Sequence, residues 1–206
     1  ENNFVYFDKR KISFKELINT AYLNRIPLSS SGFYKTDKIN VDNKTLQGRP
    51  FLYFAYGAAV TEVIIDKLTG ENKILQVDII HDVGNSINKR IDIGQIEGGY
   101  IQGLGWLTTE EVSWKSDGIL TTHSPSTYKI PTAGETPFKF NVEIYDRGFN
   151  KEKVINRSKA VGEPPFMLAI SSFIAIKDAV YNANNNKDSN NLIAPATAEN
   201  ILKSLN

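Results

Sequence analysis

The sequence predicts an α+β fold in which helices pack on a mostly antiparallel sheet. Three observations lead to this prediction. Two segments rich in aromatic and β-branched residues flank a turn within residues 50–83. Another alternating segment, FKFNVEIYD, spans residues 138–146. Segments with apolar residues at helical spacing lie before, between and after these strands.

The first predicted element is a short amphipathic helix that begins after Ser13. Ser13 is a suitable N-cap, and Glu16 three residues later is the partner expected in a capping box. The apolar stripe of this helix consists of Phe14, Leu17, Ile18, Ala21 and Tyr22. Residues 29–50 are polar and rich in turn formers, so we expect them to run over the surface in an extended conformation.

A long antiparallel hairpin follows. The two predicted strands are PFLYFAYGAAVTEVIID and ILQVDIIHDV, and KLTGENK between them supplies the turn residues. Residues 94–112, GQIEGGYIQGLGWLTTEEV, have helical apolar spacing but contain several glycines. Each glycine costs about 1 kcal/mol relative to alanine in a helix. These glycines therefore indicate either tight packing of the helix on a sheet or the close approach of a ligand.

Two helices are predicted after the last strand. PFMLAISSFIAIKDAVYNA, residues 165–183, is apolar nearly all round at its start and predicts a buried helix. PATAENILKSL predicts a shorter amphipathic helix at residues 195–205. Between them NANNNKDSNN, residues 182–191, is too polar to pack in a core and is expected to be a surface loop.

Composition excludes several classes of function. The 206 residues are 41% hydrophobic, enough for a core, and the net charge of +1 argues against binding to nucleic acid. The chain has no cysteine, which excludes disulfides and cysteine-held iron–sulfur clusters. No apolar run reaches the roughly 18 residues of a membrane span, and no signal peptide pattern is present. We therefore expect a soluble cytoplasmic protein with no membrane partner.

The sequence lacks the G-x-S-x-G, H-E-x-x-H and phosphate-loop motifs of three common enzyme classes. His81 and His123 lie far apart, so we expect ordinary histidines and no protein-held metal. Asp78, Asp82 and Asp92 do not match a calcium loop, and turn or cap roles are expected for them.

Glu163 is the strongest candidate for a functional residue. It lies in SKAVGEPPFMLAI, between a glycine and two prolines. Pro164 is expected to exclude the α region for Glu163, which gives a stiff turn before a helix. The positive end of that helix would favour an ionised carboxylate, as a general base requires. The alternative is that Glu163 only caps the helix.

Four blocks of the sequence resemble, in order, the C-terminal part of the molybdenum-binding subunit of the xanthine dehydrogenase family of molybdenum hydroxylases. The blocks are GRPFLYFAYGAAVTEV, DVGNSINKRIDIGQIEGGYIQGLGWLTTEE, PSTYKIP and SKAVGEPP. The resemblance extends from about residue 13 to the closing helix. It implies that residues 1–206 are a single C-terminal molybdopterin-binding domain and a fragment of a longer subunit.

The resemblance also implies a function, the hydroxylation of hypoxanthine or xanthine at a ring carbon with oxygen derived from water. Molybdenum would be held by a molybdopterin cofactor and by no protein side chain. Glu163 would be the general base, and Gln95 and Gly162 would contact the cofactor. Iron–sulfur clusters and FAD would lie on partner subunits or domains.

The sequence also departs from the family pattern. The upstream glycine-rich segments and the substrate-binding residues of the family have no counterpart here, so we expect the isolated chain to be inactive without the N-terminal part of the subunit. One alternative is another molybdenum hydroxylase, of the nicotinate, aldehyde or carbon monoxide type. The other is a non-catalytic assembly fragment in which Glu163 is a helix cap.

Overall fold

The computed structural model describes residues 3–184 and 191–205. The chain forms two compact units, Glu1–Leu52 and Tyr53–Asn206. Most of the surface loop predicted at residues 182–191 lies outside the described residues.

The first unit consists of two small hairpins and one helix. Its elements are β1 (Phe4–Phe7), β2 (Arg10–Ser13), α1 (Phe14–Leu23), β3 (Asn40–Val41) and β4 (Gly48–Arg49). The Ser13 side chain accepts a hydrogen bond from the Glu16 backbone N–H at 3.1 Å, which confirms the predicted N-cap. Most of residues 29–50 are irregular and exposed, as predicted. The hairpin formed by β1 and β2 was not predicted from the sequence.

A three-stranded sheet organises the second unit. Its strands are β5 (Gly57–Ile65), β6 (Asn72–His81) and β7 (Lys139–Ile144), in the order β5-β6-β7. β5 and β6 form the predicted antiparallel hairpin, with a bulge between Glu62 and Val63. β5 begins at Gly57, later than the predicted segment, which starts at Pro50. β7 pairs with β6 in parallel, because the chain crosses over through a helix before it returns to the sheet.

The helices of this unit are α2 (Lys89–Thr108), α3 (Ile170–Ala183) and α4 (Ala198–Leu205). A six-residue 3₁₀ segment, Pro164–Ala169, leads directly into α3. The Asn88 side chain caps α2 by accepting from the Arg90 N–H at 3.1 Å.

The core lies where α2 and α3 pack on one face of the sheet. A first cluster joins the inner residues of β6 to α2, and its buried members include Val77, Ile79, Ile96, Tyr100 and Leu104. A second cluster joins α3 to α4, and its buried members are Ile176, Val180, Leu192, Ala196 and Ile201. Burial of each large side chain contributes roughly 1.5–3 kcal/mol, so these clusters account for the attachment of the helices.

Two glycines of α2 allow close contact with the Pro164–Ala169 segment. A Cβ atom built on Gly99 would lie 2.9 Å from the carbonyl oxygen of Gly162, and one built on Gly103 would overlap the carbonyl oxygen of Phe166. The predicted packing reason for these glycines is therefore correct, but the neighbour is a 3₁₀ segment and not the sheet. Gly98 has no neighbouring atom within 4 Å of its Cβ position.

The prediction of a buried helix at residues 165–183 was wrong in extent. Ser172, Ile176 and Val180 are buried, whereas Ile170 and Ile174 are 48% and 55% exposed. Only one stripe of α3 faces the core, although the helix is apolar on other sides too. By length and composition alone, Pro164–Ala183 could cross a membrane. Core helices of soluble proteins meet the same criterion, so this segment does not by itself indicate a membrane.

Alanine substitutions on α2 test the packing role of its glycines. Gly103→Ala should lower the free energy of unfolding by about 1–3 kcal/mol, because the new methyl group overlaps the Phe166 backbone. Gly98→Ala is the matched control and should raise it by up to about 1 kcal/mol, because the position is open and alanine favours the helix. Urea unfolding of the two variants measures both effects. Changes of the same sign in the free energy of unfolding would contradict the packing argument.

Candidate functional site

The structure brings together the three site residues predicted from the sequence. Glu163 follows Gly162 at the start of the 3₁₀ segment, and both residues are exposed. Gln95 lies on α2 and is also exposed. The side-chain oxygen of Gln95 is 3.1 Å from the position that a Cβ atom on Gly162 would occupy. Glu163 therefore directly follows a glycine that lies beside the Gln95 amide.

The backbone of Glu163 differs from the prediction. Its φ and ψ are −100° and −38°, in the α region that Pro164 was expected to exclude. The carbonyl oxygen of Glu163 accepts a hydrogen bond from the Phe166 N–H at 3.0 Å, and Pro165 is buried. This bond and the packing of the segment on α2 outweigh the local preference for an extended residue before proline.

The carboxylate of Glu163 makes no capping hydrogen bond. A cap would normally accept from the first free N–H groups of the helix. Here Pro164 and Pro165 have no N–H, and the N–H of Phe166 is bonded to the carbonyl oxygen of Glu163. The two prolines thus remove the partners that would hold the side chain of Glu163. Its carboxylate has no capping role within the part of the chain that the structure describes.

The chain before Glu163 is held against the end of β6. Lys159 donates its backbone N–H to the carbonyl oxygen of Val83 at 2.8 Å, and Gly84 and Ser158 form an antiparallel bridge. The Lys159 ammonium lies 2.5 Å from the Asp82 carboxylate, and the two side chains are 5% and 10% exposed. Asp82 also accepts from the Gly84 N–H at 2.8 Å, which confirms its predicted turn role. The ion pair was not predicted, because its partners are 77 residues apart in sequence.

The chain after Glu163 is held by α2 and β5. Trp106 and Phe166 form an edge-to-face contact with 4.3 Å between ring centroids. The hydroxyl group of the buried Tyr100 lies 2.5 Å from that of Ser172 and 3.0 Å from that of Thr61. This network ties α2, α3 and β5 together.

The two histidines have different surroundings. His81 is 1% exposed, and its Nδ1 has no hydrogen-bond partner among the described residues. Burial lowers the pKa of His81, with a smaller lowering from Lys159 and an opposing effect of Asp82. His123 is exposed. Within residues 3–184 and 191–205, no group of three or more metal-binding side chains comes together.

The other two aspartates differ from each other. Asp78 accepts from the side chains of Gln76 and Asn141, each at 2.7 Å, so it links strands β6 and β7. The turn or cap role expected for Asp78 was therefore wrong. Asp92 lies in the first turn of α2 and accepts from the Ser86 hydroxyl, in agreement with a role at the helix start.

Sequence comparison identifies the family. A match to the family described as molybdopterin cofactor-binding domain spans residues 1–137. The chain belongs to this family. It is 48% identical over 195 residues to a xanthine dehydrogenase/oxidase of Felis catus and 48% identical over 199 residues to a xanthine dehydrogenase of Oryza sativa. These alignments cover 92% of this chain but only 15% and 14% of the relatives' lengths.

Solved structures of molybdenum hydroxylases confirm the fold class of this molybdopterin-binding chain. The carbon monoxide dehydrogenase of Oligotropha carboxidovorans superimposes with a TM-score of 0.63 and 25% identity, over 73% of this chain and 18% of that chain. An aldehyde oxidoreductase of Desulfovibrio gigas gives a TM-score of 0.63 and 26% identity, over 81% of this chain and 17% of that chain. The family and the α+β fold predicted from the sequence are both confirmed.

The surface around Gln95 fits the cofactor for which the family is described. Gln95 offers both a donor and an acceptor on one exposed amide, as recognition of a pterin ring requires. Gly94 and Gly98, on either side of it along α2, leave open space where side chains would otherwise stand.

The buried His81 should make folding pH-dependent. Its pKa lies below the ordinary 6.5 in the folded chain, so the unfolded chain binds the proton first as the pH falls. The stability due to neutral His81 is present above pH 6.5 and is lost as the pH falls towards the folded pKa. Urea unfolding between about pH 7.5 and 5.5 should show a decline of at most about 1.4 kcal/mol per unit from this group.

Substitutions of the two histidines separate this effect from other titrations. His81→Gln should flatten the decline in stability, and His123→Gln, at the exposed histidine, is the matched control. If the full decline in the free energy of unfolding persists in His81→Gln, groups other than His81 cause it.

Proposed function

We propose that the chain supplies the general base and part of the cofactor site of a xanthine dehydrogenase-type molybdenum hydroxylase. The reaction hydroxylates hypoxanthine or xanthine at a ring carbon, with the oxygen taken from water. The observation that carries this proposal is that Glu163, whose carboxylate makes no capping hydrogen bond, directly follows Gly162, which lies beside the Gln95 amide.

Glu163 accepts a proton from the water-derived oxygen as that oxygen attacks the ring carbon. A carboxylate that makes no capping hydrogen bond with its own segment is available for this step. A positioned general base contributes typically 10² to 10⁴ in rate. When bound, the molybdenum cofactor supplies the two-electron acceptor for the oxidation of the carbon.

Gln95 and Gly162 hold the cofactor in this proposal. The amide of Gln95 hydrogen-bonds to the polar edge of the pterin. Gly162 keeps the space next to that amide free, because a side chain at this position would crowd the Gln95 oxygen.

The chain acts as part of a larger assembly. The family match, residues 1–137, continues across the boundary between the two compact units, which supports a single molybdopterin-binding domain. The chain spans only 14 to 15% of its curated relatives, so the rest of the molybdenum subunit completes the site. Iron–sulfur and FAD domains or subunits take the electrons onward. We propose that this assembly works in the cytoplasm and that the isolated chain is inactive.

Purines are the proposed substrates because of the relatives. Xanthine dehydrogenases share 43 to 48% identity with the chain over about nine-tenths of its length. The superimposed quinoline and aldehyde oxidoreductases share 26 to 27%. An aldehyde-type or nicotinate-type hydroxylase is the second candidate. A non-catalytic assembly role is less well supported. In that role Glu163 would be a helix cap, and its side chain makes no capping hydrogen bond.

Replacement of the carboxylate tests the proposed base. In the complete enzyme, Glu163→Gln should slow single-turnover reduction of molybdenum by xanthine by two or more decades, because the amide cannot accept the proton. Enzyme samples are matched for molybdenum content. Glu143→Gln is the control, since Glu143 is an exposed carboxylate on β7. Reduction at the native rate in Glu163→Gln would remove Glu163 as the base.

The proposed cofactor contact has a test of its own. Gln95→Ala should lower the molybdenum and pterin content of the purified enzyme by several-fold, because the cofactor loses a hydrogen-bonding partner at its edge. Gln102→Ala is the matched control, since Gln102 is another exposed glutamine of α2. Cofactor content is measured by metal analysis and pterin fluorescence. Equal content in both variants would contradict a role of Gln95 in binding.

A further inference from the structure

A buried ion pair lies close to Glu163 in sequence and has no part in the proposed chemistry. Lys159 precedes Glu163 by four residues, and its ammonium lies 2.5 Å from Asp82 at the end of β6. The side chains are only 5% and 10% exposed. Buried ion pairs add little to stability on balance, because desolvation of the charges offsets their attraction. A role in fixing one local conformation explains such a pair better than a gain in stability does.

The pair is the centre of a set of contacts that fix the chain before Glu163. The Lys159 N–H donates to Val83, and the Ala160 N–H donates to the Tyr53 hydroxyl at 2.9 Å. Gly84 has a φ of +62°, and a Cβ atom on it would overlap the Arg157 carbonyl oxygen. We call the Asp82–Lys159 ion pair and the Gly84–Ser158 bridge together the β6 anchor.

Two attachments hold the chain around Glu163 to the body of the second unit. The β6 anchor holds the chain at Lys159, and packing on Gly99 and Gly103 holds it at Gly162 and from Pro165 onward. Only Ala160 and Val161 separate the two attachments. A connection this short leaves its backbone little freedom, so displacement of either end moves the carboxylate of Glu163.

We propose that the β6 anchor positions Glu163 for proton transfer, which makes Asp82 and Lys159 positioning residues of the reaction. This inference rests on the proposed role of Glu163 as the base. Lys159 is not itself a catalytic residue, because its ammonium is buried and is bound to Asp82. The pair acts only through the placement of the segment that carries Glu163.

A variant without either charge tests the proposal in the complete enzyme. The neutral pair variant combines Asp82→Asn with Lys159→Met. Asparagine keeps an oxygen that can accept from the Gly84 N–H, and methionine keeps the length of the side chain, so no unpaired charge is buried. The control is Glu199→Gln with Lys203→Met, which removes an ion pair of 2.6 Å that is largely exposed on α4.

The rate is measured as single-turnover reduction by xanthine, at matched molybdenum content, with and without Glu163→Gln. The neutral pair variant should react about 100-fold more slowly, the effect typical of a misplacement of about 1 Å, with little change in substrate affinity. In the Glu163→Gln background the same change should have no further effect, because the base is already absent. The control pair should leave the rate unchanged in both backgrounds.

Two kinetic results would overturn the proposal. One is reduction at the native rate in the neutral pair variant. The other is an equal loss of rate with native Glu163 and with Glu163→Gln, because an effect that does not depend on Glu163 cannot come from the positioning of Glu163. If the neutral pair variant does not assemble, Gly84→Ala replaces it in the same cycle. This change keeps both charges and pushes the Arg157 backbone away from β6.

Hydrogen exchange provides a readout other than activity. In the neutral pair variant, the amides of Lys159 and Ala160 should exchange faster, while those of β6 keep their protection. Unchanged exchange at both amides would also overturn the proposal. If Glu163→Gln alone keeps the native rate, the proposed function fails, and exchange still reports whether the anchor holds the segment. The two failures are therefore distinguishable.

Discussion

The close contact between α2 and the Pro164–Ala169 segment is the constraint on which the site depends. Gly99 and Gly103 let two backbones approach to a distance that any side chain would prevent. Gln95 lies one helical turn before Gly99, so the same contact brings its amide beside Gly162. A helix with ordinary side chains at these positions would hold the two segments apart and would separate the proposed cofactor contact from the proposed base.

Backbone chemistry explains why Glu163 is free of a capping partner. A glutamate at the start of a helical segment usually finds free N–H groups, and the two prolines that follow Glu163 have none. The segment packs its own apolar residues, Pro165 and Ala169, into the interior while Glu163 stays outside. A positioned base needs a backbone fixed by packing and a carboxylate that is not held by a capping bond. The segment meets both conditions.

Much of the local structure could be predicted because it depends on neighbouring residues. The Ser13 cap, the hairpin of β5 and β6 and the helical character of α2 all follow from short-range patterns, and the structure contains them. The exposed stripe of α3 and the link from Asp78 to β7 could not be predicted from short-range patterns. Each depends on which element, distant in sequence, packs or pairs there. The α conformation of Glu163 also failed prediction, since packing on α2 outweighs the preference of a residue before proline.

The sequence alone determined the class of fold through its periodicity, which is a local property of the chain. Through its resemblance to known proteins it also determined the family and the residues proposed for the site. Tertiary structure decided what surrounds them. It placed Gln95 beside Gly162, paired β7 in parallel with β6 and joined Asp82 to Lys159 across 77 residues of sequence. Long-range pairs of this kind arise only when packed elements bring distant segments together, and no local pattern records them.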